Sequence, residues 1–199
     1  MNNKAKIAVL VSGGGTNLQA LIDAQKSGII TSGSIELVIS NKAGAYALER
    51  AANAGIKSET VLKSENPDFE GKIISLLEEN EIDVIVLAGF MSILSERFTS
   101  RFENRILNVH PSLIPSFCGE GFYGLRVHQA ALDYGVKVTG ATVHFVNEIP
   151  DGGKIIMQKA VEIQPEDTPE TLQKRVMEQA EWIILPLSVE KVCKEITEG

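Results

Sequence analysis

Cysteine is nearly absent from this chain of 199 residues: Cys118 and Cys193 are the only two, far apart and in no CxxC spacing. Two thiols cannot build a disulfide framework, so a reducing compartment, the cytoplasm, is the expected setting. Long apolar runs are missing too. The apolar stretch after the N-terminal lysines, Ile7 to Val11, has only five residues and ends in glycines, too short for an export segment. Nothing approaches the roughly 18 apolar residues of a membrane span. Positive charge is in deficit: 19 Lys and Arg against 26 Asp and Glu give a net charge of −7. Such a surface disfavours nucleic acid and anionic membranes as partners, while leaving room for a small basic pocket. No repeat, low-complexity tract or charge block marks a linker, and one domain over residues 1–199 is expected.

What is present is an alternation of strand-like and helix-like segments. "KIAVLVS" (6–12), "IELVIS" (35–40), "DVIVLAG" (83–89) and "RILNVH" (105–110) are short, β-branched and almost continuously apolar, as strands covered on both faces are. Between them, Leu18, Leu21, Ile22 and Gln25 keep helical spacing, as do Phe69, Ile73, Leu76 and Leu77. This order predicts right-handed βαβ units and a parallel sheet. "KVTGATVHFV" (137–146) and "KIIMQKAVEI" (154–163) predict an antiparallel pair at the far side of that sheet. A long helix should follow, capped by Thr168 with Pro169 in its first turn. Leu172, Val176, Ala180, Ile183 and Leu187 would form its buried stripe, and Pro186 should end or bend it. The fold class is therefore α/β: three layers around a mixed sheet, mostly parallel with an antiparallel C-terminal part.

Two places carry chemistry. "VLVSGGGTNLQAL" reads as strand, glycine turn and helix start, which offers backbone N–H groups and a helix N-terminus to an anion. Leu18 stands where a dinucleotide fingerprint needs its third glycine, Ser40-Asn41 lacks the acidic residue expected there, and no Walker lysine is present. The loop suits a mononucleotide-like phosphate better than NAD or ATP. In "ILNVHPSLIPSF" (106–117), Asn108 and His110 end a strand and Pro111 stops it. Ligands of open parallel sheets sit beyond the carboxyl ends of strands, where Gly13 to Asn17 and "AGFM" (88–91) also lie. His110 suits proton transfer near neutrality, and the Asn108 amide can donate to an oxyanion without titrating.

A working imidazole needs an orienting carboxylate; Asp151 is the candidate, with Glu148 and Asp133 in competition. His144 shares a face with Val138, Thr142 and Val146 and reads as a packed strand histidine, while His128 reads as surface or as a support behind the site. Ser112 lies two residues from His110, but the nucleophile elbow G-x-S-x-G is absent and residues two apart on one extended segment do not converge. Scattered histidines give a zinc site little support.

"SGGGTNLQ", "LAGFMSIL" (87–94), "NVHPSLIPSF" and "TVHFVNEIPDGG" (142–153) together resemble the phosphoribosylglycinamide formyltransferase family, in the family's order over nearly the whole chain. The resemblance implies the Rossmann-like formyltransferase fold, with a nucleotide-phosphate half over roughly 1–100 and a folate and catalytic half over roughly 101–199. It implies transfer of a formyl group from 10-formyltetrahydrofolate, a co-substrate, to the amine of glycinamide ribonucleotide in purine synthesis, without a metal. Asn108, His110 and Asp151 would be the catalytic trio: Asn108 and protonated His110 meeting the oxyanion, Asp151 holding the imidazole and raising its pKa. Gly15, Thr16 and Asn17 would hold phosphate and ribose, Pro111 would fix the turn beside the substrate, and Glu181 would meet its ribose or glycinamide end. Met91, Ser92, Ile93 and Leu94 would line the folate pocket with Asn108, and Asn147, Glu148, Ile149, Pro150 and Asp151 would close over the pterin.

The chain departs from the family in three places. Ser92 and the neighbourhood of Asn66 carry no arginine where many members do, with Lys63, Lys72 or Arg97 as candidate replacements. "CGEGFYGLRVHQ" inserts residues and puts Arg126 at a histidine's place while keeping His128. The same fold acting on initiator tRNA, a sugar amine or water is the alternative reading, and a non-catalytic nucleotide-binding module or an NAD-dependent oxidoreductase stands further off. The expected partners are small molecules, with no nucleic acid and no membrane, and the expected state is a monomer or weak homodimer.

Overall fold

The computed structural model describes residues 4–199, so residues 1–3 of the expected domain lie outside it. Seven strands form one sheet: β1 (Ala5–Val11), β2 (Gly33–Ser40), β3 (Lys57–Thr60), β4 (Val84–Leu87), β5 (Ile106–His110), β6 (Val138–Phe145) and β7 (Ile155–Glu162). Their order is β3-β2-β1-β4-β5-β6-β7. The first five run parallel, and β6 and β7 pair antiparallel at the far side, as the sequence predicts. β3 is the strand that hydrophobic pattern misses, because its "KSET" lies on the edge of the sheet with three of four residues exposed.

Helices cover both faces. On one side, α1 (Thr16–Ser27) and α2 (Tyr46–Asn53) bury Leu18, Leu21, Ile22, Ala47 and Ala51 against Ile7, Val9 and Val11 of β1. On the other, α3 (Phe69–Glu79) and α4 (Glu96–Arg101) bury Phe69, Ile73, Leu77 and Phe98 against Ala8 and Leu10. Alternate residues of β1 thus feed two cores, which is why its sequence is apolar throughout. Each fully buried large apolar side chain contributes roughly 2 kcal/mol. α5 (Leu125–Tyr134) precedes β6, and the C-terminal helical segment follows β7.

That segment corrects one expectation. Thr168 caps α6 (Pro169–Val176) through a hydrogen bond from the Thr171 N–H, and Pro169 takes its first position. A π-helical turn, Met177–Glu181, then inserts one extra residue before α7 (Trp182–Glu198). The buried stripe runs Leu172, Val176, Ala180 and then Ile184 and Ser188, while Ile183 and Leu187 are each 43% exposed. A uniform helical period carried past the π turn comes out one residue early. Pro186 does not end the helix, which continues to Glu198. The N–H it lacks costs one bond near the restart of the helix, and burial of Leu185, Val189 and Val192 outweighs it.

Candidate active site

The carboxyl ends of β1, β4 and β5 lie side by side, and three connections leave from them. Ser12 ties two of these together, its hydroxyl accepting the N–H of Met91 at 2.8 Å. On β5, Asn108 and His110 alternate onto one face. β6 brings His144 directly opposite Asn108 and Thr142 opposite His110. Asn108 Nδ2 lies 3.2 Å from His144 Nε2, and His144 Nδ1 lies 2.8 Å from the Phe145 carbonyl oxygen. A carbonyl only accepts, so His144 Nδ1 carries a proton, and in the neutral ring Nε2 receives the Asn108 N–H. His144 is therefore both the packed strand histidine that the alternation predicts, 1% exposed, and a neighbour of the site through Asn108. Hydrophobic alternation shows its face but not the register that sets it against Asn108.

His110 is buried. Its Nε2 donates to the Phe117 carbonyl at 2.9 Å, and its Nδ1 lies 3.4 Å from Asp151 Oδ2. The same Asp151 oxygen accepts the Gly119 N–H at 2.8 Å, and Oδ1 stands 3.6 Å from His144 Nε2. Asp151, on the β6–β7 connection, thus faces both imidazoles; Glu148 makes no comparable contact, and Asp133 instead accepts from Gln129. Gly119 falls in the "CGEGFYG" segment and Phe117 directly precedes it, so this stretch supplies two backbone partners of the trio.

Burial pushes the Asp151 carboxyl up, but His144, the Gly119 N–H and His110 together hold it below the usual carboxylate range. For His110, burial wins: it pushes the imidazole below its ordinary value although Asp151 and the Phe117 carbonyl pull it up. Asp151 thus raises the His110 pKa as expected, but burial outweighs it and the net shift is downward. The ring stands neutral near neutrality, with its Nε2 proton fixed by Phe117 and its Nδ1 turned toward Asp151.

Behind the trio, Thr142 fastens the turn that begins at the half-buried Pro111. Its hydroxyl donates to the Ser112 carbonyl at 2.7 Å and accepts the Ile114 N–H at 3.1 Å. Ser112 is fully buried and donates to the Ser116 carbonyl at 2.6 Å, which disposes of it as a nucleophile. His128, on α5, is also fully buried and not on the surface; it has no hydrogen-bond partner at either ring nitrogen, and burial pushes its pKa down to about 4.

A pocket of about 140 Å³ is lined by Asn108 and Asp151 of the trio, while His110 stands behind its wall, next to Asp151. Of the expected folate-site residues, Ser92, Ile93, Leu94, Asn108, Asn147, Glu148, Ile149, Pro150 and Asp151 line it, joined by Leu87, Phe90, His144 and Val146. Met91 is not in its wall, and its side chain is more than half exposed. Ser92 accepts the Asn41 amide at 3.0 Å, Asn66 donates to the Leu62 carbonyl, and Arg97 is committed to Asp68 through two hydrogen bonds. A larger cavity of about 420 Å³ runs along α1 past Thr16, Arg50 and Trp182 and contains none of the trio. Asn108 and Asp151 of the trio line the smaller pocket and not the larger one.

The glycine loop forms a second cluster. Gly15 caps α1 in the left-handed region (φ 70°), and Thr16 and Asn17 open the helix. Asn17 Nδ2 donates to Glu181 Oε2 at 2.8 Å. Glu181 is only 6% exposed, and burial raises its pKa to about 7 against the pull of Asn17. The π turn carries it inward, where a regular helix number would have read it as a solvated carboxylate. Thr16 Oγ1 approaches Met177 Sδ of the same turn at 4.0 Å.

The family model described as formyl transferase matches residues 5–188. The chain is 48% identical to phosphoribosylglycinamide formyltransferase of Haemophilus influenzae over 98% of its own length and 88% of that protein's. It is 45% identical to the human trifunctional purine biosynthetic protein adenosine-3 over 95% of its length, corresponding to 18% of that longer protein. The crystal structure of glycinamide ribonucleotide transformylase 1 from Symbiobacterium toebii superposes with a TM-score of 0.90 at 38% identity, covering 96% of this chain and 89% of that one. On this evidence the chain belongs to the formyl transferase family, among the phosphoribosylglycinamide formyltransferases.

Proposed function

We propose that this protein transfers a formyl group from 10-formyltetrahydrofolate to the amine of glycinamide ribonucleotide. The observation that carries the reading is a pocket lined by Asn108 and Asp151, with His110 against Asp151 behind it, beside a glycine loop with a buried carboxylate. The pocket's Leu87, Phe90, Ile93, Val146 and Ile149 suit the faces of a flat heterocycle, and Asn147 with Asp151 suits its polar edge. The folate supplies a formyl group already activated on nitrogen; the protein supplies charge and proton management.

Asn108 gives one amide hydrogen to His144, which leaves the other for the negative charge developing on the formyl oxygen. His110 enters neutral. Its Nδ1 takes the proton from the attacking amine nitrogen and returns it to the departing folate nitrogen as the C–N bond breaks, so protons balance across the step. While it holds that proton, the imidazolium is stabilised by Asp151 and faces the same oxyanion. Gly15, Thr16 and Asn17 hold the phosphate and ribose, and Glu181 holds the ribose or glycinamide end through the surface it shares with Asn17.

The setting is the cytoplasm, and the working unit is a monomer or weak homodimer acting on small molecules. Among the described residues no helix is long and apolar enough to cross a membrane. Incubating the protein with both substrates and identifying the product by mass spectrometry tests the assignment. Formylated glycinamide ribonucleotide supports it, and free formate alone would favour a hydrolase.

A further inference from the structure

The strand-to-helix glycine loop is held from one side. The Gly13 carbonyl accepts the Ala47 N–H at 3.1 Å, and the Gly14 carbonyl accepts Arg50 Nε at 2.8 Å; both donors belong to α2. Arg50 is itself fixed, with Nη1 donating to Gln19 Oε1 at 3.0 Å and the guanidinium lying 4.9 Å over the Tyr46 ring. In a trans peptide the carbonyl and the following N–H point in opposite directions. Tying both carbonyls to α2 therefore turns the N–H groups of Gly14 and Gly15 away from it.

Those N–H groups continue into the first turn of α1. Among the described residues, none of the N–H groups from Gly14 to Asn17 has an acceptor. A left-handed residue, Gly15, followed by helical Thr16 makes successive N–H groups converge, the geometry of an anion-binding nest. The packing against α2 leaves no slack: a Cβ on Gly15 would stand 2.7 Å from the Ala47 Cβ.

We propose that Arg50 is a positioning residue for the phosphate-binding loop: by holding the Gly14 carbonyl it aims the Gly15 N–H at the phosphate of the ribonucleotide substrate. This rests on the reading of the loop as the phosphate site. Arg50 acts through the loop's backbone. It needs the guanidinium fork, because Nε and Nη1 serve Gly14 and Gln19 at once, which a single lysine ammonium does not reproduce.

The test uses R50M and R50K, with steady-state kinetics on glycinamide ribonucleotide and on its dephosphorylated nucleoside, and calorimetric binding of ribose 5-phosphate. R50M is expected to raise KM for the ribonucleotide and to weaken ribose 5-phosphate binding, each about tenfold, with kcat and the folate KM unchanged. The dephosphorylated substrate should not distinguish variant from wild type. R50K keeps the charge and loses the fork, so it should lose nearly as much; full rescue by lysine would overturn the proposal, as would an equal loss on the dephosphorylated substrate. If R50M does not fold, R50K carries the same comparison. Wild type that binds ribose 5-phosphate but does not formylate the ribonucleotide would refute the proposed reaction alone. Wild type that binds no ribose 5-phosphate would overturn the proposal about Arg50.

Discussion

Asn108 and His144 face each other across the β5–β6 ladder, joined by a hydrogen bond of 3.2 Å from the amide to Nε2. The bond fixes which way the amide points, because the Phe145 carbonyl has already fixed the His144 ring. Replacing His144 with phenylalanine frees the amide and should lower kcat about tenfold to hundredfold. Asn108→Ala should cost more. In the double variant the loss should be no greater than in Asn108→Ala alone, since His144 acts through Asn108. Additive losses would show that His144 works independently.

Asp151 pulls the pKa of His110 up against the burial that pushes it down. Asp151→Asn removes that pull, so the His110 pKa should fall further. His110 acts from its neutral form, and the acid limb of kcat/KM should therefore move to lower pH while its plateau drops about a hundredfold or more. An acid limb that stays in place, or moves up, would contradict the assignment of that limb to His110.

Glu181 links the nucleotide end of the site to stability. Its carboxyl is raised from 4.5 to about 7 in the folded chain, so the native state holds a proton that the unfolded state releases first. Stability from this group is fully present below about 4.5 and is lost as pH rises through about 7. Glu181→Gln keeps the shape without the charge. Its melting temperature relative to wild type should rise steadily across that window and level off above it; a constant difference would show that Glu181 is not the titrating group. The same variant should weaken ribonucleotide binding about tenfold.

Gly15 and Gly13 differ although both belong to one "GGG" run. Gly15 has a φ of 70° and no room for a Cβ beside Ala47, whereas Gly13 has nothing within 4 Å of that position. Gly15→Ala should destabilise the fold by about 1–3 kcal/mol, read by denaturant melting, and Gly13→Ala by much less.

Much of this was legible before any coordinates. Four parallel strands are legible from their β-branched, almost continuously apolar runs and the antiparallel pair from two further β-rich runs, and Asn108, His110 and Asp151 fall at a strand end and a turn. What stayed hidden depends on pairing. His144 alternates correctly on its own strand, yet only the β5–β6 register puts it against Asn108. β3 escaped because an edge strand has no buried face to leave a hydrophobic signature. Glu181 is reached only through the family resemblance, because one extra residue in the π turn rotates inward a position that a uniform helical period leaves on the solvent side. The net pKa of His110 is likewise a balance between burial and a carboxylate distant in sequence, which no local pattern contains.

The most direct measurement follows the absorbance of 10-formyl folate as the purified protein deformylates it, with glycinamide ribonucleotide present and then omitted. Turnover that requires the ribonucleotide and falls at least a hundredfold in His110→Ala is the expected result. Turnover that is indifferent to the ribonucleotide, or that survives in His110→Ala, would contradict the account.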